Sequence, residues 1–209
     1  MGRQGGLLLA CLATGCALAL GVATASAGRL SITSQSISIT WSAVRFNEGA
    51  AVCPVTMEGS LHGRTMAKSA GTLVGFVMRA RTSRCSVGTA VLLTVEDGQT
   101  STVPWHIRYD SFSGALPDIT RVRWHIVGLS YRVLEELEFC LYTSTTTRPA
   151  LLDLTREAGG AVTTAAFFGT EAIPLVAGNS VLCDQSGLLG GSGSVTLQGS
   201  ATRVTLSLI

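Results

Sequence analysis

A two-residue alternation of apolar and polar side chains is the feature of this sequence that most restricts its fold. Residues 37–41 read Ile-Ser-Ile-Thr-Trp, and residues 105–110 read Trp-His-Ile-Arg-Tyr-Asp. Successive side chains of a β-strand point to opposite faces, so this alternation predicts strands with one buried face and one solvated face. The chain is therefore expected to bury a sheet core.

About ten such segments follow one another, separated by glycine-rich turns, notably Gly187–Gly193. Short alternating strands with turns between them are typical of a β-sandwich or a closed β-barrel. We predict an all-β domain with little helix, a β-sandwich being the first choice and a closed barrel the alternative. Ile119–Leu134 is expected to be the longest strand, and Leu151–Ala158 the one short helix.

The first 27 residues have the pattern of a secretory signal peptide. Arg3 precedes the uncharged apolar stretch Leu7–Val22, and Ala25-Ser26-Ala27 supplies the small side chains that a signal peptidase accepts. The apolar stretch is short and broken by glycine compared with a membrane-spanning helix, and the residues before Cys16 are a poor lipidation signal. We therefore expect a secreted, extracellular protein whose single mature domain covers residues 28–209, with no membrane span.

Four cysteines remain in the mature segment: Cys53, Cys85, Cys140 and Cys183. An even number in an exported chain predicts two disulfides, for which three connectivities exist. We favour Cys53–Cys85 and Cys140–Cys183, because each pair flanks predicted neighbouring strands. Without a C-x-x-C spacing, no metal site is predicted from these residues.

Charge and motifs limit the functions that the chain can have. The formal net charge is only +2 and the basic residues are not clustered, which argues against a nucleic-acid partner. The nearest match to the hydrolase motif G-x-S-x-G, at 128–132, lacks the second glycine, and no cofactor motif is present. We expect a non-enzymatic domain that binds a partner or has a structural role in the cell envelope.

Two other classes remain as alternatives. An extracellular hydrolase could assemble a triad by geometry alone, because triads have no fixed spacing in sequence. A pore-forming barrel is less well supported, since only 6% of residues are aromatic and several strands carry arginine.

One group of polar residues is a candidate ligand patch. His106 and Arg108 lie on the strand face opposite Trp105, and a second strand places three more basic side chains opposite Trp124, namely Arg121, Arg123 and His125. If the two strands pair, these five side chains form a cationic patch suited to an anionic ligand. Two imidazoles lack a third zinc ligand, and the alternative is an ordinary solvated face above a tryptophan-anchored core.

Several stretches of the chain resemble a group of secreted proteins of high-GC Gram-positive bacteria. The resemblance rests on Val103–Asp110 with its continuation Ser111–Pro117, on Cys53–Ser60 and on the final segment Arg203–Ile209. It extends over most of the mature chain and implies export. It implies no activity and transfers no catalytic residue.

Overall fold

A computed structural model describes residues 28–94, 104–115, 118–135, 138–168, 172–178 and 181–209; the predicted signal peptide lies outside these ranges. The described residues form one 3-10 turn, η1 at Asn47–Gly49, and sixteen strands. The strands are β1 Leu30–Ile32, β2 Ser36–Phe46, β3 Ala51–Leu61, β4 Thr65–Met66, β5 Leu73–Thr82, β6 Ala90–Leu92, β7 Trp105–Ala115, β8 Asp118–Val127, β9 Ser130–Glu135, β10 Glu138–Thr143, β11 Ala150–Arg156, β12 Val162–Phe168, β13 Ile173–Ala177, β14 Ser186–Gly187, β15 Leu189–Leu197 and β16 Leu206–Leu208.

Eight strands close into an antiparallel barrel in the order β11-β12-β15-β2-β3-β5-β7-β8. The alternation of apolar and polar residues in the sequence matches the inner and outer faces of the barrel wall. Ile39 and Trp41 of β2 are completely buried, whereas Thr40 between them is exposed. Closure pairs every barrel strand on both sides and leaves no open sheet edge.

Strands inserted between barrel strands cover one end of the barrel. β6, the β9–β10 hairpin and the β13–β14 pair leave the barrel at the same end and form a five-stranded sheet, which we call the half-barrel, in the order β14-β13-β10-β9-β6. Its inner face meets the barrel core, where the rings of Phe46 and Tyr131 lie 5.3 Å apart. The Trp105 indole also donates a hydrogen bond to the Leu93 carbonyl beside β6.

The opposite end is covered by a three-stranded sheet of β16, β1 and β4. Leu30, Ile32 and Leu206 of this sheet are buried. Arg156, at the end of β11, donates hydrogen bonds to the carbonyls of Leu206 and Ile119, and so ties this sheet to the barrel wall.

Side chains fill the barrel interior. Trp41, Trp105 and Trp124 are each at most 1% exposed, and Trp41 stacks on Phe167 with ring centroids 4.9 Å apart. A wholly apolar cavity between Phe46, Trp105 and Phe167 has a volume of about 10 Å³, which is no larger than one water molecule requires. An eight-stranded barrel of this kind is just wide enough for its own side chains.

The turn between β2 and β3 joins the barrel to the half-barrel. Asn47 and Glu48 both have positive φ, at 47° and 57°, a conformation in which asparagine is several-fold enriched among non-glycine residues. Asn47 is buried, and its Oδ1 accepts hydrogen bonds from the Tyr131 hydroxyl at 2.8 Å and the Leu188 amide at 3.3 Å. The amide side chain therefore connects three segments of the chain.

Disulfides link Cys53 to Cys85 and Cys140 to Cys183, the pairing favoured from the sequence. Cys53, Cys140 and Cys183 are buried, and Cys85 is half-buried. Both bridges lie at the half-barrel end of the molecule. Two such bridges indicate an oxidising compartment.

The all-β prediction is confirmed, and of the two named architectures the closed barrel is the one found. Three local predictions were wrong. Leu151–Ala158 contains strand β11 instead of a helix, Ile119–Leu134 divides at Gly128 into β8 and β9, and the segment Gly187–Gly193 contains the start of β15 instead of only a turn.

Candidate functional site

The five predicted patch residues lie on adjacent strands, on the outside of the barrel. β7 and β8 pair antiparallel, with Arg108 opposite His125, Ser111 opposite Arg123 and Ser113 opposite Arg121. His106 is opposite Val127, one step further along the same face. The structure therefore brings the group together on one sheet face, as the alternation predicts.

A buried carboxylate holds two of the three arginines. Asp153 of β11 is opposite Arg123 in the register and only 1% exposed. Arg123 donates to both of its oxygens, from Nε at 2.6 Å and from Nη2 at 2.8 Å, and Arg121 Nη1 lies 3.2 Å from Oδ2. This bidentate geometry is the strong form of an arginine–carboxylate pair, so it compensates much of the expected positive charge.

A second acid lies beside His125. Asp110 Oδ1 is 3.4 Å from His125 Nε2, and Asp110 Oδ2 accepts a hydrogen bond from the Ser111 hydroxyl at 2.7 Å. In a catalytic triad the imidazole stands between the serine and the acid, where it can take the serine proton. Here the carboxylate stands between the serine and the imidazole, so these three residues lack the connections of a nucleophile and its base.

His106 packs in an aromatic row. Its ring centroid is 5.2 Å from that of Phe76, which in turn is 4.8 Å from His62. All three histidines of the chain therefore lie on this side of the molecule. Among the residues that the structure describes, no three His, Cys, Asp or Glu side chains are close enough together to hold a metal ion.

Arg108 is the arginine of the patch whose charge is least compensated. Its Nη1 donates to the Gly71 carbonyl at 2.9 Å, and across the strand pair it faces His125. Behind it, Tyr109 points into the barrel, where burial, and to a smaller extent the Asp110 charge, raises the pKa of its hydroxyl. The patch can thus offer one guanidinium, with an imidazole beside it, to an anion.

The sequence did not reveal an apolar surface on the outer face of the half-barrel. Val91, Phe139 and Val176 project from three of its strands and are 38%, 44% and 54% exposed, and the Arg132 guanidinium lies over the Phe139 ring at 5.7 Å from the centroid. Apolar residues on both faces of a short strand look like a fully buried strand in sequence. The outer face of the half-barrel therefore carries exposed apolar side chains on three of its strands.

No protein-family model, curated protein or solved structure matches this chain. The described residues include no helix of the length and apolar character needed to cross a membrane.

Proposed function

We propose that this protein is an exported, non-enzymatic binding domain that meets its partners with its outer surface. The observation that carries the proposal is the filled barrel. Its interior is occupied by tryptophan, tyrosine and aliphatic side chains, and strands cover both of its ends. Ligand sites need concave volumes of several hundred cubic ångströms, and the interior cavity of about 10 Å³ is far below that size.

Export is supported by two independent observations. Residues 1–27 have the pattern of a signal peptide, a segment that directs a chain to the secretory route. The two disulfides fit the oxidising environment outside the cytoplasm. A secreted domain of this kind would find its partner among components of the cell envelope.

The distribution of exposed apolar residues supports a protein-binding role. Among the residues that the structure describes, most of the large exposed hydrophobic side chains belong to the half-barrel strands or their connecting loops: Val87, Val91, Phe139, Val176, Val181 and Leu182. The outward residues on β2 of the barrel, by contrast, are small or polar, as Ser36, Thr40 and Ala43 are. The half-barrel is thus the surface on which a partner would bury the most apolar area.

Capture from fractionated cell envelopes tests the binding role. The mature wild-type domain is used as bait beside a Phe139→Ser/Val176→Ser variant and a Met78→Ser control, since Met78 is 43% exposed on the barrel wall. We expect a discrete component that the wild type and the control retain and the double variant loses. Equal capture by all three baits would show nonspecific adhesion and contradict the proposal.

The alternative of an extracellular hydrolase is tested separately. The mature domain is assayed against ester, peptide and glycoside substrates, beside a His125→Gln variant. We expect no turnover by either protein, because Ser111 donates to Asp110 and not to His125. Turnover that the wild type shows and His125→Gln loses would replace the binding proposal with an enzymatic one.

Anion binding at Arg108 is a second candidate, favoured by the facing pair Arg108 and His125. Titration with inorganic phosphate, followed by the NMR signals of β7 and β8, tests it. We expect saturable shifts that Arg108→Gln abolishes, because a guanidinium is the strongest anion ligand of the patch. Lys68→Gln is the control, because the Lys68 ammonium lies over the Phe112 ring; this variant should show the same shifts as the wild type. Shifts that survive Arg108→Gln would contradict this candidate.

A further inference from the structure

A groove on the barrel wall lies on the sector formed by β2, β15 and β12, which are neighbours in this order. It has a volume of about 420 Å³, within the range of small-ligand sites. Its lining residues are Thr40, Ser42, Thr163, Thr164, Ser192, Gly193 and Ser194. Six of the seven carry a hydroxyl group, and none carries a charge or an aromatic ring.

Irregular strand pairing shapes this groove. The ladder between β2 and β15 shifts register from Gly190 to Ser194, and the ladder between β2 and β3 shifts between Trp41 and Val44. On β12, Thr164 pairs with Thr155 and Val162 with Arg156, which leaves Thr163 as an extra residue. Such bulges bend strands and redirect side chains, and here Thr163 and Thr164 both line the groove.

The hydroxyls of the groove are available to a ligand. Thr163 donates to the Thr155 carbonyl at 3.4 Å. In the part of the chain that the structure describes, the other five hydroxyls make no hydrogen bond to protein: those of Thr40, Ser42, Thr164, Ser192 and Ser194. Each hydroxyl can donate one hydrogen bond and accept two.

We propose that this groove binds a neutral polyhydroxylated ligand, namely a segment of an uncharged glycan chain. Groups that both donate and accept match the hydroxyls of a sugar. The lining residues offer no charged group to a phosphate or a carboxylate. The groove is open and shallow, which suits a chain lying along the barrel wall better than an enclosed small molecule.

This inference rests on the proposed binding function and names a ligand class for a face distinct from the half-barrel. The lining residues carry no aromatic ring, so the ligand would bind without a stacking contact. We therefore expect weak binding, with a dissociation constant of the order of 1 mM. Avidity along a polymer would strengthen such binding.

NMR titration of the mature domain with neutral oligosaccharides from dextran, galactan and mannan tests the proposal. We expect saturable shifts of the amides of residues 40–42, 163–164 and 192–194 with at least one of them. Thr40→Val/Thr164→Val removes two hydroxyls while keeping the shape and the strand propensity of the side chains. The dissociation constant of this variant should rise at least fivefold.

Thr56→Val is the matched control. Thr56 of β3 is exposed and directly opposite Thr40 of β2, but it lies outside the groove. Removal of the Thr56 hydroxyl should therefore leave the affinity for the oligosaccharide unchanged. No shifts with any neutral oligosaccharide, or equal affinity of the double variant, would overturn the proposal, as would binding of sulfated dextran alone. The capture of envelope components with the Phe139→Ser/Val176→Ser variant tests the broader binding function independently, because Phe139 and Val176 are not groove residues.

Discussion

At the scale of single residues, the three buried tryptophans differ in the hydrogen bonding of their indole N–H groups. Trp41 donates to the Ala165 carbonyl and Trp105 to the Leu93 carbonyl, each at 3.0 Å. The Nε1 of Trp124 has no hydrogen-bond partner among the described residues. A buried donor without a partner has lost its hydration with no compensation.

Replacement of each tryptophan by phenylalanine should reveal this difference. All three changes remove similar volume, but only Trp41→Phe and Trp105→Phe break a hydrogen bond. We expect these two variants to lose about 1 kcal/mol more free energy of unfolding than Trp124→Phe, as measured by urea denaturation. Equal losses in all three would contradict this interpretation.

Gly187 is required by close packing under the half-barrel. A Cβ atom at this position would lie 1.8 Å from the Tyr131 hydroxyl oxygen and 2.8 Å from the Asn47 Oδ1. We expect Gly187→Ala to lower the free energy of unfolding by roughly 1–3 kcal/mol, the usual cost of overpacking. Gly190→Ala is the control, because its Cβ would meet nothing within 4 Å; a thermal melt that is identical for both variants would count against the packing argument.

At the scale of elements, alternation predicted most strands and placed the patch residues on one face. It failed at β11, where Leu151, Leu152 and Leu154 resemble a helical stripe. Leu151 is the cause, because it is an apolar residue on the outer face and precedes the regular alternation of Leu152, Asp153 and Leu154. Asp153 is a charged residue on the same outer face, yet it is buried, because Arg121 and Arg123 of the neighbouring strand β8 cover it. A sequence pattern cannot show a partner that is thirty residues away, so this part of the site was not predictable.

The choice between sandwich and barrel was not decided by the sequence either. Both architectures use the same short alternating strands. The barrel closes where β15 pairs with β2, with Val195 opposite Ile39, and no local signal specifies that long-range pairing. The apolar half-barrel face was missed for a related reason, since outward-facing Phe139 and Val176 look like core residues in a strand.

The two disulfides should differ in their access to reductant. Cys85 is half-buried, whereas Cys140 and Cys183 are 0% and 4% exposed. Under native conditions we expect the Cys53–Cys85 bridge to be reduced first, because thiol attack needs access to a sulfur. Timed alkylation with mass spectrometry measures the order; earlier labelling of Cys140 and Cys183 would contradict it. Loss of either bridge should lower stability by roughly 2–4 kcal/mol.

At the scale of the whole molecule, stability should fall at high pH through Tyr109. Its pKa is raised above the ordinary 10.0, first by burial and then by the Asp110 charge. Above pH 10 the unfolded chain therefore releases this proton more readily than the folded one, so stability is lost as pH rises from 10 through the raised pKa. Between pH 9 and pH 11, the urea midpoint of Tyr109→Phe should fall less than that of the wild type; an equal fall would exclude Tyr109 as the cause.

Closure of the barrel by β2 and β15 has a consequence for the order of events during folding. Ile37 of β2 pairs with Leu197 of β15, so the ring cannot close until β15 is available. Until then β2 and β12 both present unpaired edges, on which chains aggregate. Folding dominated by such distant pairings is slow. Folding intermediates in which β15 has not yet docked therefore offer these edges to other copies of the chain, and rapid docking of β15 limits aggregation of the protein with itself.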